Sequence, residues 1–297
     1  VFRKDKTFLL DWMQVYMEAQ ESAGKKDGSQ IKIAMRILKD YAGEMVTLDQ
    51  IDGDFCRGYI TYLLTEYHPK GKDISNYTLH NYYRALNGAL NSAVRKKKMK
   101  ANPFNELEKS EKIRKPESMR SYMTIEEVQA LIDTPMPHEE YEIVKCAYLF
   151  SCFCGLRISD IIKLKWNDVF VDRGQYRLAV SMKKTKEPIY LPLSPEALKW
   201  MPERGGKSSE DNVFDLPSAN TIRMQLKPWA KAAGISKRFS YHTSRHTFAT
   251  MMLTLGADLY TVSKLLGHAD VKMTQVYAKI INKKKDEAVN LVNGLFH

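Results

Sequence analysis

Three short segments in the C-terminal half of this 297-residue sequence concentrate side chains able to handle an anionic oxygen. They are Cys154-Gly-Leu-Arg157-Ile-Ser-Asp160, Tyr241-His242-Thr-Ser-Arg245-His246-Thr247, and Leu265-Leu-Gly-His268-Ala-Asp, with Tyr277 nine residues after His268. His242 and Arg245 stand three apart on an expected helix, so both side chains project from one face. Each of the guanidiniums of Arg157 and Arg245 can donate two parallel hydrogen bonds to the non-bridging oxygens of a phosphate. Cleaving a phosphodiester needs such charge neutralisation, together with proton handling at the attacking and leaving oxygens. A phenol with a pKa near 10 is only about one part in a thousand ionised at pH 7. A tyrosine nucleophile therefore needs a nearby base or a strong positive field.

Taken singly, each of these residues has a plainer explanation. Arg157 could be the ion-pair partner of Asp160. His242 and His246, four apart, could be zinc ligands, but Thr243 replaces the glutamate of a metalloprotease box and no third ligand is evident. Tyr277 is one of 16 tyrosines. His268, after Gly267, could simply cap a helix.

The elements that must position these residues begin with an all-helical stretch of about 105 residues. Phe8, Leu9, Trp12, Val15, Tyr16 and Ala19 recur at helical spacing until Gly24 to Gly28 break the pattern. A second run carries Ile33, Met35, Ile37, Leu38 and Tyr41 and stops at Gly43. A third, Phe55 to Tyr67, ends before Pro69, and a fourth runs from Ser75 or Thr78 to Lys98. Four helices with short connections make a small bundle. Between residues 95 and 115 nine Lys/Arg stand against three Glu. Such a run is either a solvated linker or a strap along a phosphate backbone.

Thr124-Ile-Glu-Glu127 is a capping box that opens a second domain. A helix over Glu139 to Cys152 precedes Gly155. From Asp168 the period switches to two, through Val169 and Val171, a turn at Asp172-Arg-Gly174, Tyr176 to Met182, and Ile189 to Leu193. This predicts a three-stranded antiparallel sheet whose second turn is Lys183-Lys184-Thr185-Lys186-Glu187. Helices resume near Ser194, Ala219, His242, Asp258 and Asp270, with Gly234, Gly256 and Gly267 at C-terminal caps. The fold class is mainly α with a small antiparallel β-sheet, an α+β arrangement.

Counting 46 Lys+Arg against 35 Asp+Glu gives a net charge of +11. That excess points to a polyanionic partner, nucleic acid first and an anionic membrane surface second. No window holds the roughly 18 uninterrupted apolar residues of a membrane-spanning helix. Val1-Phe2-Arg3-Lys4-Asp5-Lys6 has no apolar core of the kind a secretory signal needs. The chain opens on Val1 rather than Met, as a fragment of a longer chain does. Cys56, Cys146, Cys152 and Cys154 do not make a disulfide framework, and Cys152-x-Cys154 lacks the spacing of a zinc knuckle. They read as the reduced thiols of a cytosolic protein.

In this order, and on this pattern of elements, the three segments resemble the tyrosine recombinase (phage integrase) family. The resemblance runs over nearly the whole chain. Residues 1–107 look like its helical core-binding (SAM-like) DNA-binding domain, 108–121 like a basic linker, and 122–297 like its catalytic domain. The Asn102-Pro-Phe104 stretch before the linker gives a layout closest to integrases of phages and conjugative transposons from Bacteroides-like bacteria.

The resemblance implies that Tyr277 is the nucleophile and that Arg157 and Arg245 clamp the scissile phosphate. His242 matches the base-like histidine and His268 the residue that hydrogen-bonds the phosphate. Lys184 matches the lysine that protonates the leaving 5′ oxygen, with Lys183 and Lys186 close enough to leave that assignment open. Asp160 orients the site from behind Arg157, and His246 has a structural part. DNA contacts are expected from Arg95, Lys96, Lys97, Lys98, Lys100, Lys112, Arg114, Lys115, Lys183 and Lys186. No cofactor, ATP or metal is implied. The expected partners are double-stranded attachment sites, three further copies of the chain in a homotetramer on DNA, a host DNA-bending factor and an excisionase. The expected location is the bacterial cytoplasm, on the nucleoid. The apolar residues between Ala278 and Phe296 read as a terminal helix packed on its own domain or docked on a neighbour. An arm-binding domain, which many such integrases carry, has no counterpart before Phe8.

Two other functions fit parts of the pattern. A type IB topoisomerase shares the Arg, Lys, His and Tyr chemistry, but the small N-terminal bundle and the Leu-Gly-His box favour the recombinase. A DNA-binding protein on the same scaffold has no use for a phenol at position 277. If the 95–115 run straps a duplex, replacing its lysines with neutral residues flattens log affinity against log salt by about 0.9 for each phosphate that the run ceases to neutralise. A slope unchanged in a binding titration returns the run to a solvated linker.

Overall fold

A computed structural model of the protein describes residues 7–25, 28–116, 120–181 and 188–278. The chain divides into two compact units between residues 118 and 119, inside the stretch read as a linker.

In the first unit, α1 (Leu9–Ser22), α2 (Gly28–Ala42), α3 (Gly53–Thr65) and α4 (Asn76–Arg95) follow the apolar periodicity closely. The starts of α3 and α4 are fixed by side-chain caps, Asp52 accepting from Phe55 N at 2.8 Å and Ser75 from Thr78 N at 3.3 Å. Met13, Ile37, Tyr59, Leu86 and Leu90 lie at the centre of the core. The Trp12 indole donates to Ala89 O at 2.9 Å, tying α1 to α4.

The basic stretch after α4 is stapled to this bundle for part of its length. The amide of buried Asn102 donates to Asn87 Oδ1 at 2.7 Å and to Asn91 Oδ1 at 2.9 Å, both on α4. Phe104, Leu107 and Ile113 enter the core, and Arg57 pairs with Glu111 at 2.8 Å. The sequence pattern shows only charge here, because one isoleucine among Lys109, Lys112, Arg114 and Lys115 has no visible period. Arg95, Lys96, Lys97, Lys98, Lys100, Arg114 and Lys115 are exposed, and Lys112 is partly so.

In the second unit the Thr124 capping box forms as expected, Thr124 N donating to Glu127 Oε2 at 2.7 Å and Glu127 N to Thr124 Oγ1 at 3.2 Å. It opens α5 (Ile125–Asp133). A single 3-10 turn then leads into α6 (Glu142–Cys154), the central helix of the unit. After α7 (Ile158–Ile161) come β1 (Val169–Asp172), β2 (Gln175–Ser181) and β3 (Pro188–Pro192), antiparallel in the order β1-β2-β3. Leu178 faces Leu191 across β2 and β3, and both are buried. Lys183, Lys184 and Lys186, between these strands, lie outside the described residues, as does the segment after Ala278. The chain continues through α8 (Pro195–Leu198), α9 (Ala219–Ala232), α10 (Tyr241–Thr254), α11 (Leu259–Leu265) and α12 (Lys272–Ala278). No helix of the described residues is long and apolar enough to cross a membrane.

Despite its polar sequence, α10 lies in the middle of this unit, with Tyr241 and every residue from Thr243 to Thr250 buried. Among its buried hydroxyls, those of Tyr241, Thr243, Ser244 and Thr247 find partners, while Thr250 Oγ1 has none among the described residues. Tyr241 Oη donates to Ala147 O at 2.6 Å, Tyr148 Oη meets Thr243 Oγ1 at 2.7 Å, and Ser244 Oγ donates to Tyr241 O at 2.7 Å. Thr247 Oγ1 accepts from Met123 N at 2.8 Å. A buried hydroxyl without a partner costs about 1–3 kcal/mol, so these bonds let a polar helix occupy a core.

Where α6 gives way to the turn before α7, Gly155 adopts φ +74°. A Cβ there would lie 2.6 Å from Phe248 Cδ1. Gly155→Ala combines a left-handed alanine with overpacking, each worth about 1–3 kcal/mol. It is expected to lower the stability of the second unit by about 2 kcal/mol or more, seen as a fall in its urea midpoint.

Candidate active site

The turn that ends α6 sets the first arginine. Gly155 reverses the chain, Leu156 is buried, and Arg157 stands extended ahead of α7. Arg157 N donates to Asp160 Oδ2 at 3.3 Å, and its Nη1 lies 4.0 Å from the same oxygen. Ser159 Oγ donates to Asp160 Oδ1 at 3.2 Å, so the buried carboxylate is held from both sides.

The second arginine sits deeper. Arg245 is only 2% exposed. Its Nη1 donates to Gly155 O at 2.7 Å and its Nη2 to Leu266 O at 2.5 Å. These bonds join the end of α6, the middle of α10 and the end of α11 through one planar group. Burial, aided by the neighbouring Arg157 charge, pushes its pKa down to about 10. It stays cationic at neutral pH.

Four residues apart on α10, His242 and His246 lie edge to face, with ring centroids 4.5 Å apart. Both are driven toward the neutral form. For His242 the cause is burial, then Arg245, Arg157 and Arg120. For His246, burial followed by His242, Arg120, Arg245 and His268 lowers the pKa to about 3. His268 follows Gly267 at the end of α11, with its backbone N–H on Ser263 O at 3.0 Å and its Nδ1 2.7 Å from Thr274 Oγ1.

On α12 the Tyr277 ring is 1% exposed and packs in a small core of Phe248, Ala249, Leu253, Val262 and Leu266. Its hydroxyl lies 2.6 Å from His246 Nδ1 and 2.9 Å from Arg120 Nη1. The Arg120 guanidinium also stands 5.3 Å from the ring centroid, a cation–π distance.

Arg157, Asp160, His242, Arg245, His246, His268 and Tyr277 therefore come together in the second unit, drawn from segments more than 100 residues apart. Two features depart from the sequence reading. His246, given a structural part, touches the phenol oxygen. Arg120 has no part in that reading, since nothing in its local spacing marks a contact made across 157 positions. The basic residues between 95 and 115 belong to the first unit. Lys183, Lys184 and Lys186 fall outside the described residues. Among the described residues no group of three or more His, Cys, Asp or Glu side chains could hold a metal ion.

The charges of Arg245, Arg157 and Arg120 all act on His242, and together these guanidiniums form a strongly anion-seeking site. The depressed His246 pKa has a consequence for stability. Below its ordinary value of 6.5 the unfolded chain takes up a proton that the folded state refuses, down to about 3. This contribution is complete at neutral pH and is lost as pH falls through that window. The urea midpoint of the second unit should thus drop from about pH 7 to about pH 4, and His246→Gln should make the drop shallower.

Residues 121–284 match the phage integrase family, and residues 8–114 the phage integrase SAM-like domain. A tyrosine recombinase of Pseudothermotoga lettingae is 29% identical over 242 residues, 74% of this chain and 82% of that protein. The tyrosine recombinase XerD of Vibrio vulnificus is 32% identical over 184 residues, 57% of this chain and 59% of XerD. The match thus spans less than two thirds of that relative. Among solved structures, the Tn1549 transposon integrase in complex with circular intermediate DNA superposes with a TM-score of 0.71 at 17% identity, covering 91% of this chain and 94% of that one. The XerH site-specific recombinase bound to palindromic difH substrate gives 0.68 at 16% identity, covering 97% and 98%. With the family matched over more than half of its length, the chain belongs to the phage integrase family, the tyrosine recombinases.

Proposed function

We infer that the protein is a site-specific DNA recombinase that cuts and rejoins DNA strands through a covalent bond between Tyr277 and a 3′ phosphate. The observation that carries this reading is the phenol of Tyr277 held beside the cluster of Arg157, Arg245 and Arg120. Attack by the phenolic oxygen on a phosphodiester puts further negative charge on the non-bridging oxygens. Arg245 is fixed by two carbonyls and Arg157 by Asp160, so little reorganisation is needed to meet that charge. His268 supplies a further ring for the phosphate. Lys184, which lies between β2 and β3 in the sequence, is assigned as the donor for the leaving 5′ oxygen.

The attack leaves a 3′-phosphotyrosyl link and a free 5′ hydroxyl. A partner strand's hydroxyl then reverses the step. One phosphate ester is exchanged for another, so the reaction needs no ATP, and the guanidiniums meet the charge demand that a metal ion serves elsewhere. The substrates are double-stranded recombination sites of a mobile element. The Tn1549 relative, bound to circular intermediate DNA, supports the transposon reading. Four copies acting on two sites would carry out exchange, with the segment after Ala278 docking on a neighbour and a host DNA-bending factor and an excisionase setting direction. The cations between residues 95 and 115 contact the duplex, in a bacterial cytoplasm where the target is nucleoid DNA.

Tyr277→Phe removes only the nucleophilic oxygen. It should leave DNA affinity unchanged and abolish the covalent complex on a nicked attachment-site substrate, read by denaturing gel. A covalent adduct persisting in that variant would place the nucleophile elsewhere.

A further inference from the structure

Two groups touch the Tyr277 oxygen, a guanidinium that can only donate and a histidine nitrogen that in one tautomer accepts. A guanidinium carries N–H donors and no acceptor. In the 2.9 Å contact Arg120 Nη1 therefore donates and the phenol oxygen accepts. The phenol has one hydrogen of its own, and its other partner is His246 Nδ1 at 2.6 Å. With the ring hydrogen of the neutral imidazole on Nε2, the Nδ1 lone pair faces the phenol and accepts that hydrogen. The contact lies within the distance required of a general base.

Resting on the reading of Tyr277 as nucleophile, we propose that His246 is the group that takes the phenolic proton, and that Arg120 holds the phenolate oxygen as it forms. The O–H bond of Tyr277 breaks and its proton passes to the Nδ1 lone pair of His246. The oxygen's electron pair forms the new bond to phosphorus. The bond from phosphorus to the 5′ oxygen breaks, its pair leaves with that oxygen, and the proton from Lys184 completes the hydroxyl. On rejoining, the His246 imidazolium returns its proton to the departing phenol.

The surroundings fit both parts. His246 is faced by Tyr277 from α12, by His242 and Arg245 from its own helix, by Arg120 from the stretch before α5, and by His268 from the end of α11. These neighbours and its burial keep it unprotonated, so the acceptor is ready at neutral pH. A bound phosphodiester brings negative charge among the same guanidiniums and thereby eases formation of the imidazolium. Arg120 offers the phenolate a charge-assisted hydrogen bond, stronger than a neutral one. The first histidine of the box, His242, lies beside His246 and toward Arg157 and Arg245. In this arrangement it serves the phosphate side of the site.

The test measures single-turnover covalent-complex formation on a nicked attachment-site DNA, using the full chain. His246→Asn keeps a polar side chain but cannot carry the proton, and should slow the reaction about 100-fold with DNA affinity retained. Placing a fluorinated tyrosine at position 277, whose phenol ionises more readily, should restore about tenfold or more of that loss. Arg120→Ala should slow the same reaction about tenfold with DNA affinity retained, and the fluorinated phenol, whose oxygen needs less help to carry charge, should restore most of that loss.

A His246→Asn rate within about threefold of the parent overturns the proton-acceptor role, and so does a loss that the fluorinated phenol fails to restore. An Arg120→Ala rate within about twofold of the parent, or a loss that the fluorinated phenol fails to restore, overturns the Arg120 role. Faster cleavage in either variant overturns the whole proposal, because the two contacts would then restrain the phenol. If Tyr277→Phe still forms the adduct, the nucleophile itself is misassigned, a failure distinct from all of these.

Discussion

A single buried guanidinium sets the terms for everything around it. Arg245 has left water and spends hydrogen bonds on Gly155 O and Leu266 O, so three separated segments are tied to one planar group. Moving a charge out of water costs several kcal/mol unless polar groups and counter-charge replace the solvent. The carbonyls provide part of that replacement. The remaining demand for negative charge leaves the site disposed to take up an anion. Gly155 takes its left-handed conformation where the Arg245 side chain reaches its carbonyl, and the absence of a side chain lets Phe248 close over it.

The field from three guanidiniums then decides how the histidines behave. In water an imidazole is partly protonated near neutrality, whereas desolvation and the charges of Arg245 and Arg120 lower the pKa of both His242 and His246. A neutral ring can accept a proton, which an imidazolium cannot. The same cations that make the site attractive to an anion thus disfavour protonation of both rings.

Precision at the site rests on α10 being embedded. Helix-spaced hydroxyls on Tyr241, Thr243, Ser244 and Thr247 are each bonded to α6, to the stretch before α5 or to the helix itself. These bonds fix the rotation of α10, and with it the directions of His242, Arg245 and His246. The first unit is built differently, with an apolar bundle and a cationic surface stretch fastened by Asn102 and Ile113.

Local rules carried the sequence a long way. Apolar spacing marked α1 to α4, the Thr124-to-Glu127 box marked the start of α5, the switch to period two marked β1 to β3, and glycines at 155, 234, 256 and 267 marked helix ends. These features depend on neighbours within one turn or one strand pair, so adjacent residue types suffice to specify them. Arg157, His242, Arg245, His268 and Tyr277 stood out by type and order. Their convergence, and the identity of what touches the phenol, came only from the folded chain. Arg120 reaches Tyr277 across 157 residues, and His246 points at it because the packing of α10 on α12 sets that angle. Ile113 was hidden among lysines for the same reason. Partners separated by long stretches of chain are selected by how buried surfaces fit together, and no local period encodes that fit.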